Sequence, residues 1–398
     1  MFIALDQDGN KVNLAEKRWS HAILKQLRER SRFICPVCSS ELDLKIGTVI
    51  TSHFAHKKLT GCSLLEGGAE SEYHRKGKYD LFHWLDKQDS ISSVKLEYFI
   101  ESIKQRPDLL IIHQQKQMAI EFQCAKIDHQ VITKRSREFQ KAGIDDLWIL
   151  GASSIKRSGP LSFQLTGFQW LFLHIHKQNK PPTIIAYCSE QKMLIMLQNI
   201  IPFSQRSIIA QATHTPLYSL SLSQLFRDMY PTEQLIQAWV NKIKSFRLHS
   251  SQLKTKQTNA LNIFLYKTKQ LPLSSLPTLA FLPLPTNYLI ESPVFIWQSW
   301  ILIFIDQLRL GAHFSFRDVY YFIDTKIKAG LITIRRLLHK NLHYSYVIKS
   351  YLLKLCQMSI IKRSETNTFI KEKHMVWKSK TEELLKSDQE LLSKFKLL

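Results

Sequence analysis

The chain has 398 residues, 44% of them apolar, a length that points to two or three domains and a composition that excludes a disordered chain. Its 55 Lys and Arg against 33 Asp and Glu give a formal net charge of +22, which calls for an anionic partner, nucleic acid first. Six cysteines in so long a chain, two of them in Cys-x-x-Cys, fit metal binding in a reducing compartment better than a disulfide framework.

Residues 2–5, Phe-Ile-Ala-Leu, form a short strand-length segment that turns at Asp6-Gln7-Asp8-Gly9-Asn10 and returns through Val12, which predicts a small hairpin. A basic helix follows, with Lys17, Arg18, Lys25, Arg28, Arg30 and Arg32, a face that reads as solvated surface. Cys35-Pro-Val-Cys38 then forms a tight turn whose two thiolates can reach one ion. His53 and His56, in His-Phe-Ala-His, and Cys62 come after it. Sulfur and imidazole donors in a four-coordinate site indicate Zn²⁺, with five candidates for four positions.

After a loop over 61–68, a helix is predicted from about 69 to 86. On it Glu70, His74 and Lys78 fall at i, i+4 and i+8 and share one face, whereas Glu72 lies well round the helix from His74. A strand over 93–100 leads to Arg106-Pro107-Asp108, where Pro107 fixes φ and starts an extended apolar run from Leu109 to Ile112. A polar turn over 114–117 and the alternating Ala119-Ile120-Glu121-Phe122-Gln123 complete a hairpin, with Glu121 and Gln123 on one face. Carboxylates carried side by side in this way suit a hard cation such as Mg²⁺. A hairpin whose polar face simply meets water is the plain alternative.

Asp128 can cap a helix over 129–142, closed by Gly143, and Leu147 to Leu150 reads as a buried strand reached by a crossover. Arg135 on that helix could contribute a charge near a phosphate, but a solvated arginine is the plainer reading. Short strands over 184–188 and 193–197 follow, and beyond 223 the periodicity becomes helical, at 224–229, 232–246, 294–310 and 316–327. A Pro-rich stretch over 272–293 marks a joint. The longest apolar run, 293–308, is interrupted by Gln298, Asp306 and Gln307 and is too polar for a membrane-spanning helix. With no charged leader at the start of the chain, a cytoplasmic location is expected. Residues 325–363 hold nine Lys or Arg and no acid. Lys326, Lys328, Arg335, Arg336, Lys340, Lys349 and Lys354 are candidates for phosphate contacts, and Tyr344, Tyr346 and Tyr351 for stacking on unpaired bases; tyrosines in a helical core with the basic residues as its wet side are the equal alternative.

Pro-Asp, twelve residues, then Glu-x-Gln resembles the PD-(D/E)XK nuclease motif. Together with Cys-x-x-Cys, His-Phe-Ala-His and Glu70-Ser-Glu-Tyr-His74, the chain resembles the CoiA family of bacterial competence proteins. That resemblance implies a multidomain α/β protein. A zinc-finger-like N-terminal domain would span 1–65 and an α/β/α restriction-endonuclease-like core 66–155. A flanking β-rich extension would cover 156–222 and a helical basic C-terminal domain 223–398. It implies a deoxyribonuclease in which Asp108 and Glu121 hold Mg²⁺ or Mn²⁺, with Glu70, rather than Glu72, helping directly or through water and His74 beside it. Gln123 stands where the motif has lysine, and an amide can position a water but carries no charge. The implied role is processing of incoming single-stranded DNA or branched recombination intermediates in natural transformation, alongside a recombinase and other competence proteins. A non-catalytic DNA-binding or recombination-mediator protein on a degenerate nuclease fold is the alternative.

Overall fold

The computed structural model describes residues 1–47, 50–57, 62, 70–175, 182–227, 229, 232–338 and 342–393. The first hairpin pairs β1 (Ile3–Asp6) with β2 (Lys11–Asn13), turning at Gly9, whose φ of +80° favours glycine. Helix α1 (His21–Arg30) follows, capped by the Ser20 hydroxyl, which accepts from the Ile23 amide. Strands β3 (Phe33–Ile34), β4 (Glu41–Lys45) and β5 (His53–His56) complete a five-stranded sheet in the order β2-β1-β3-β4-β5. Phe2, Val12, Leu42, Leu44 and Phe54 are buried in its core.

Helix α2 (Glu72–Asp86) begins later than its periodicity predicts. The Ser71 hydroxyl accepts from the His74 amide at 3.2 Å and fixes the start, so Glu70 lies in the approach to the helix rather than on its face. Strand β6 (Ile91–Leu96), the hairpin β7 (Leu109–His113) and β8 (Lys116–Gln123), helix α3 (His129–Lys141) and strand β9 (Asp145–Gly151) follow. The hairpin turns on Gln114 and Gln115 alone, at φ of 49° and 64°, so β8 starts earlier than its apolar residues indicate. Asp128 caps α3 as expected, accepting from the Gln130 amide at 2.8 Å, and Gly143 stops it at φ +70°. Strands β8 and β9 run parallel, joined by α3.

Side chains divide between the two faces of this sheet. Leu109, Ile111, Ile120 and Phe122 pack with Leu81, Trp84 and Leu85 of α2, whereas Leu110 and Ala119 pack with Phe139 of α3 and Ile144. Gly77 is required by that packing, because a Cβ there would lie 2.0 Å from the Phe122 ring.

Strands β10 (Lys156–Arg157), β11 (Ser162–Gln164), β12 (Ile184–Cys188), β13 (Met193–Pro202) and β14 (Ser207–Pro216) come next. The chain gathers into two units. The first is Met1–Ile155, Ile184–Met196 and Thr213–Arg227, and the second is Lys156–Thr183, Leu197–Ala212 and Asp228–Leu398. In the first unit the strand order is β13-β12-β9-β8-β7-β6, with β12 parallel to β9; in the second it is β10-β11-β14-β13. Both β13 and β14 divide between the units.

The rest of the second unit holds helices α4 (Glu233–His249), α5 (Lys256–Lys269) and α6 (Val294–Gln307), strand β15 (His313–Ser315) and helix α7 (Phe316–Lys328). Helix α8 (Ser345–Gln357), strands β16 (Ile361–Glu365) and β17 (Thr368–Lys371) and helix α9 (Thr381–Ser393) close it. The sequence reading of this part as helical missed the small sheet β15-β17-β16. It also took as an ordinary helix the short 3₁₀ turn at Leu222–Phe226. The Pro-rich stretch is no open joint: Phe281 and Leu282 are fully buried, and the Gln298 amide meets both the N–H and the carbonyl of Leu282. Among the described residues no helix is long and apolar enough to cross a membrane.

Candidate active site and metal clusters

Among the described residues, two groups of ligand-type side chains stand in the first unit. Cys35 directly follows β3, Cys38 lies on a turn held by the Cys35 amide to Ser40 carbonyl bond at 2.9 Å, His56 ends β5, and Cys62 lies beyond it. Their three sulfurs and one ring nitrogen all lie within 4.8 Å of one another, with Cys38 Sγ 3.3 Å from His56 Nε2. Tetrahedral zinc with bonds of about 2.3 Å to sulfur needs donors about 3.8 Å apart, so the set fits that ion in number, chemistry and spacing. Burial opposes the Cys38 thiolate, yet hydrogen bonds from Ser40, His56 and Cys62 bring its pKa down to about 6, while burial pushes Cys35 up to about 11. His53 is not in the group. Three residues apart on a strand, His53 and His56 point to opposite faces, and His53 Nδ1 instead donates to the Thr51 carbonyl at 3.0 Å.

The second group is Glu70, His74 and Asp108, whose ligand atoms also lie within 4.8 Å. His74 bridges the two carboxylates, Nδ1 2.7 Å from Glu70 Oε1 and Nε2 3.2 Å from Asp108 Oδ2, and its ring stacks on Phe122 at 5.6 Å. Asp108 Oδ2 also accepts from the Phe122 amide at 2.9 Å. Beneath these three, which keep a partly open side, Lys78 is 3% exposed. Its ammonium pairs with Glu70 and Glu97 and lies 3.7 Å from Asp108 Oδ1. Glu97, buried and with φ of +48°, takes the amides of Phe2 and Ile3 at 2.8 and 3.3 Å, and the Met1 amino nitrogen lies 3.2 Å from Glu70 Oε2.

The charges set one another. Burial disfavours every ion here, but the anions around Lys78 raise its pKa, and Lys78 with His74 lowers that of Glu70. Against the same burial, His74 and Lys78 hold Asp108 down at about 2, and Asp108 and Glu70 raise His74 to about 9. An imidazole flanked by two carboxylates is therefore an imidazolium at neutral pH, and it must lose a proton before a nitrogen can bind a metal.

The other predicted residues fall differently. Leu109 faces Ile120, which brings Asp108 opposite Glu121, yet the two carboxylates turn to different partners. Glu121, expected to share a metal with Asp108, instead pairs with Arg135, which also donates to the Arg106 carbonyl at 3.1 Å. Burial outweighs that guanidinium and raises Glu121 to about 7. Arg135 is thus a partner of the site and not a solvated arginine. Gln123 turns away, its amide donating to the Ala125 carbonyl at 2.6 Å. Glu72 pairs with Arg75 and accepts from Thr51, outside the cluster.

In the second unit Arg335, expected on the surface, is 7% exposed, lying 3.7 Å over the Trp170 ring and bonded to the Tyr288 carbonyl. Tyr351 is also buried, its hydroxyl on the Leu279 carbonyl at 2.8 Å. Lys328 and Arg336 are exposed, and Lys326, Lys349 and Lys354 are half-buried. Lys340 lies outside the described residues. Helical spacing flagged Lys78 in advance; Glu97 carried no periodic signal at all.

Three family models match the chain: "Competence protein CoiA, N-terminal domain" over 16–65, "Competence protein CoiA, nuclease-like domain" over 70–230, and "Competence protein CoiA, C-terminal domain" over 235–385. The chain is also 31% identical over 346 residues to the "Competence protein CoiA" of Bacillus subtilis (strain 168), covering 87% of this chain and 91% of that protein. The chain belongs to the CoiA family. The sulfur cluster falls in the N-terminal match, and the acidic cluster, its buried lysine and Arg135 all fall in the nuclease-like match. A competence-related role follows from that membership.

Proposed function

We propose that the chain is a metal-dependent nuclease acting on DNA in competence, on a restriction-endonuclease-like core, with Glu70, His74 and Asp108 as its reacting centre. One observation carries the reading. Two carboxylates and an imidazole converge at the partly open end of a β-hairpin, directly above a buried ammonium. Mg²⁺ or Mn²⁺ bound there would lower the pKa of a coordinated water and neutralise charge on the attacked phosphodiester. Glu70 and Asp108 offer the oxygen ligands, and His74 orients both. Lys78 fixes the same two carboxylates and supplies the positive charge that Gln123 lacks. Arg135 holds Glu121 beside the hairpin end. Zn²⁺ on Cys35, Cys38, His56 and Cys62 would stabilise the N-terminal sheet. Incoming single-stranded DNA or branched recombination intermediates, handled with a recombinase, are the substrates that fit a competence role.

A second reading draws on a different observation. Each carboxylate already has a cation: Lys78 for Glu70 and Glu97, His74 for Asp108, Arg135 for Glu121. A network balanced without an ion suits a DNA-binding protein that does not cut. Purified full-length protein offered labelled single-stranded, duplex and branched DNA with Mg²⁺ or Mn²⁺ separates the two. Cleavage that disappears in Asp108→Asn and Glu70→Gln while binding survives supports the nuclease. Cleavage untouched by both substitutions refutes this site, and salt-sensitive binding without cleavage in either ion selects the second reading.

A further inference from the structure

Helix α7 buries Val319 and Ile323 and turns Arg317, Tyr321, Thr325 and Lys328 to water, residues at i, i+4, i+8 and i+11 on one stripe. Beside that stripe, aromatic rings pack on one another instead of entering the core. Tyr320 and Tyr344 lie nearly parallel, 5.6 Å apart at 10°, and Tyr320 is 5.9 Å from Tyr321. His343 is 4.1 Å from Tyr344, and Phe316 is 6.3 Å from Tyr320. None of these rings is buried; Tyr321 is 50% exposed and Tyr346, at the start of α8, 43%. A contiguous aromatic surface left half in water marks a binding face.

Charge narrows the occupant. The Arg317 guanidinium sits 5.2 Å over the Tyr321 ring and donates to its hydroxyl at 3.0 Å, and no carboxylate pairs with it among the described residues. Both acids of α7 are already engaged. Asp318 accepts from the Ser315 amide and hydroxyl at 2.7 and 2.8 Å, and Asp324 pairs with Lys328 at 2.7 Å. The chain that follows, 325–363, carries nine Lys or Arg and no acid. Flat rings beside a guanidinium that no carboxylate neutralises fit a polyanion with accessible π-faces. A duplex hides those faces in its own stack, and a protein segment has no such repeat of phosphates.

We propose that this face of α7 and the start of α8 binds single-stranded nucleic acid, with bases stacked on Tyr321 and Tyr346 and phosphates drawn to Arg317. It extends the nucleic-acid reading to a second place on the chain and does not depend on cleavage at Glu70, His74 and Asp108. Fluorescence anisotropy of the full-length protein, without added divalent ion, tests it with labelled oligothymidylate and oligouridylate of about 20 nucleotides and a duplex of equal length. The expected result is tighter binding of single strands than of duplex. Tyr321→Ala weakens that binding about tenfold, Tyr321→Phe retains it, and Arg317→Ala flattens its salt dependence. Deoxyribose or ribose preference distinguishes DNA from RNA as the ligand, and either satisfies the proposal. With no divalent ion in the assay, binding at this face is read without cleavage at Glu70, His74 and Asp108, so failure of one reading does not decide the other. Equal affinity in Tyr321→Ala and Tyr346→Ala overturns the proposal, as does preference for duplex. So does absence of single-strand binding, which leaves the face to a protein partner.

Discussion

The two ligand clusters of the first unit are built on opposite electrostatic plans. Around Cys35, Cys38, His56 and Cys62, three sulfurs and a ring nitrogen converge with each other as their principal polar company. Around Glu70, His74 and Asp108, the protein supplies its own cations, Lys78 from below and the imidazolium from within. An ion bound by the first group would relieve repulsion among the thiolates it requires, so binding there would be coupled to the local fold. The second is already cohesive, so any metal must compete with protein charges and can leave without unfolding the sheet.

The largest effect that tests this contrast is removal of a sulfur ligand. Cys35→Ser or Cys62→Ser should abolish bound zinc, measured by elemental analysis, and open residues 1–57 to limited proteolysis. His53→Ala should leave zinc content unchanged. Zinc retained in Cys62→Ser and lost in His53→Ala would reverse the assignment of the fourth ligand.

Next in size is Lys78→Met. Removing one partner of a buried ionic network typically costs about 3–5 kcal/mol, and here Glu97 would be left buried without its cation. A fall of several degrees in Tm is expected, with part of it restored in Lys78→Met combined with Glu97→Gln. An unchanged Tm in the single variant would show that the carboxylates do not rely on this lysine.

A smaller effect is read from pH. The folded pKa of His74, about 9, lies above the ordinary 6.5, so the folded state holds the proton more tightly. The stability this contributes is complete below about pH 6.5 and is lost as pH rises through about 9, and it amounts to no more than about 3 kcal/mol. Metal-free thermal melts from pH 6 to 10 should show this decline in the wild type and a flatter profile in His74→Asn. Smallest of all, Gln123→Ala removes only a local bond to Ala125 and should leave both Tm and any cleavage rate close to wild type.

Local rules made several features legible in the sequence. Apolar alternation gave the β7–β8 hairpin, Asp128 and Gly143 bracketed α3, and Cys-x-x-Cys announced a turn that brings two sulfurs together. Each depends on residues within a few positions of one another, where backbone geometry follows from side-chain type. The turn at Gln114-Gln115 was harder to place because neither residue is the Gly or Asn that ordinarily marks left-handed φ. The start of α2 was hidden because periodicity continues through Glu70, while the Ser71 cap ends the helix there.

What the chain order could not decide was which charges meet. Lys78 pairs with Glu97 from 19 positions away, Glu121 with Arg135 from 14, and the buried Arg247 of α4 with Asp388 of α9 from 141. Arg335 looks like any other basic residue of its stretch until the fold lays it on Trp170. The sequence alone determined the ligand types, the strand and helix periods and the excess of positive charge, because those are properties of residues and their near neighbours. Only the tertiary structure selected His56 over His53, turned Glu121 to Arg135 and set an ammonium under Asp108. A buried charge is governed by whatever packing places within a few ångströms of it, and no short-range pattern encodes that.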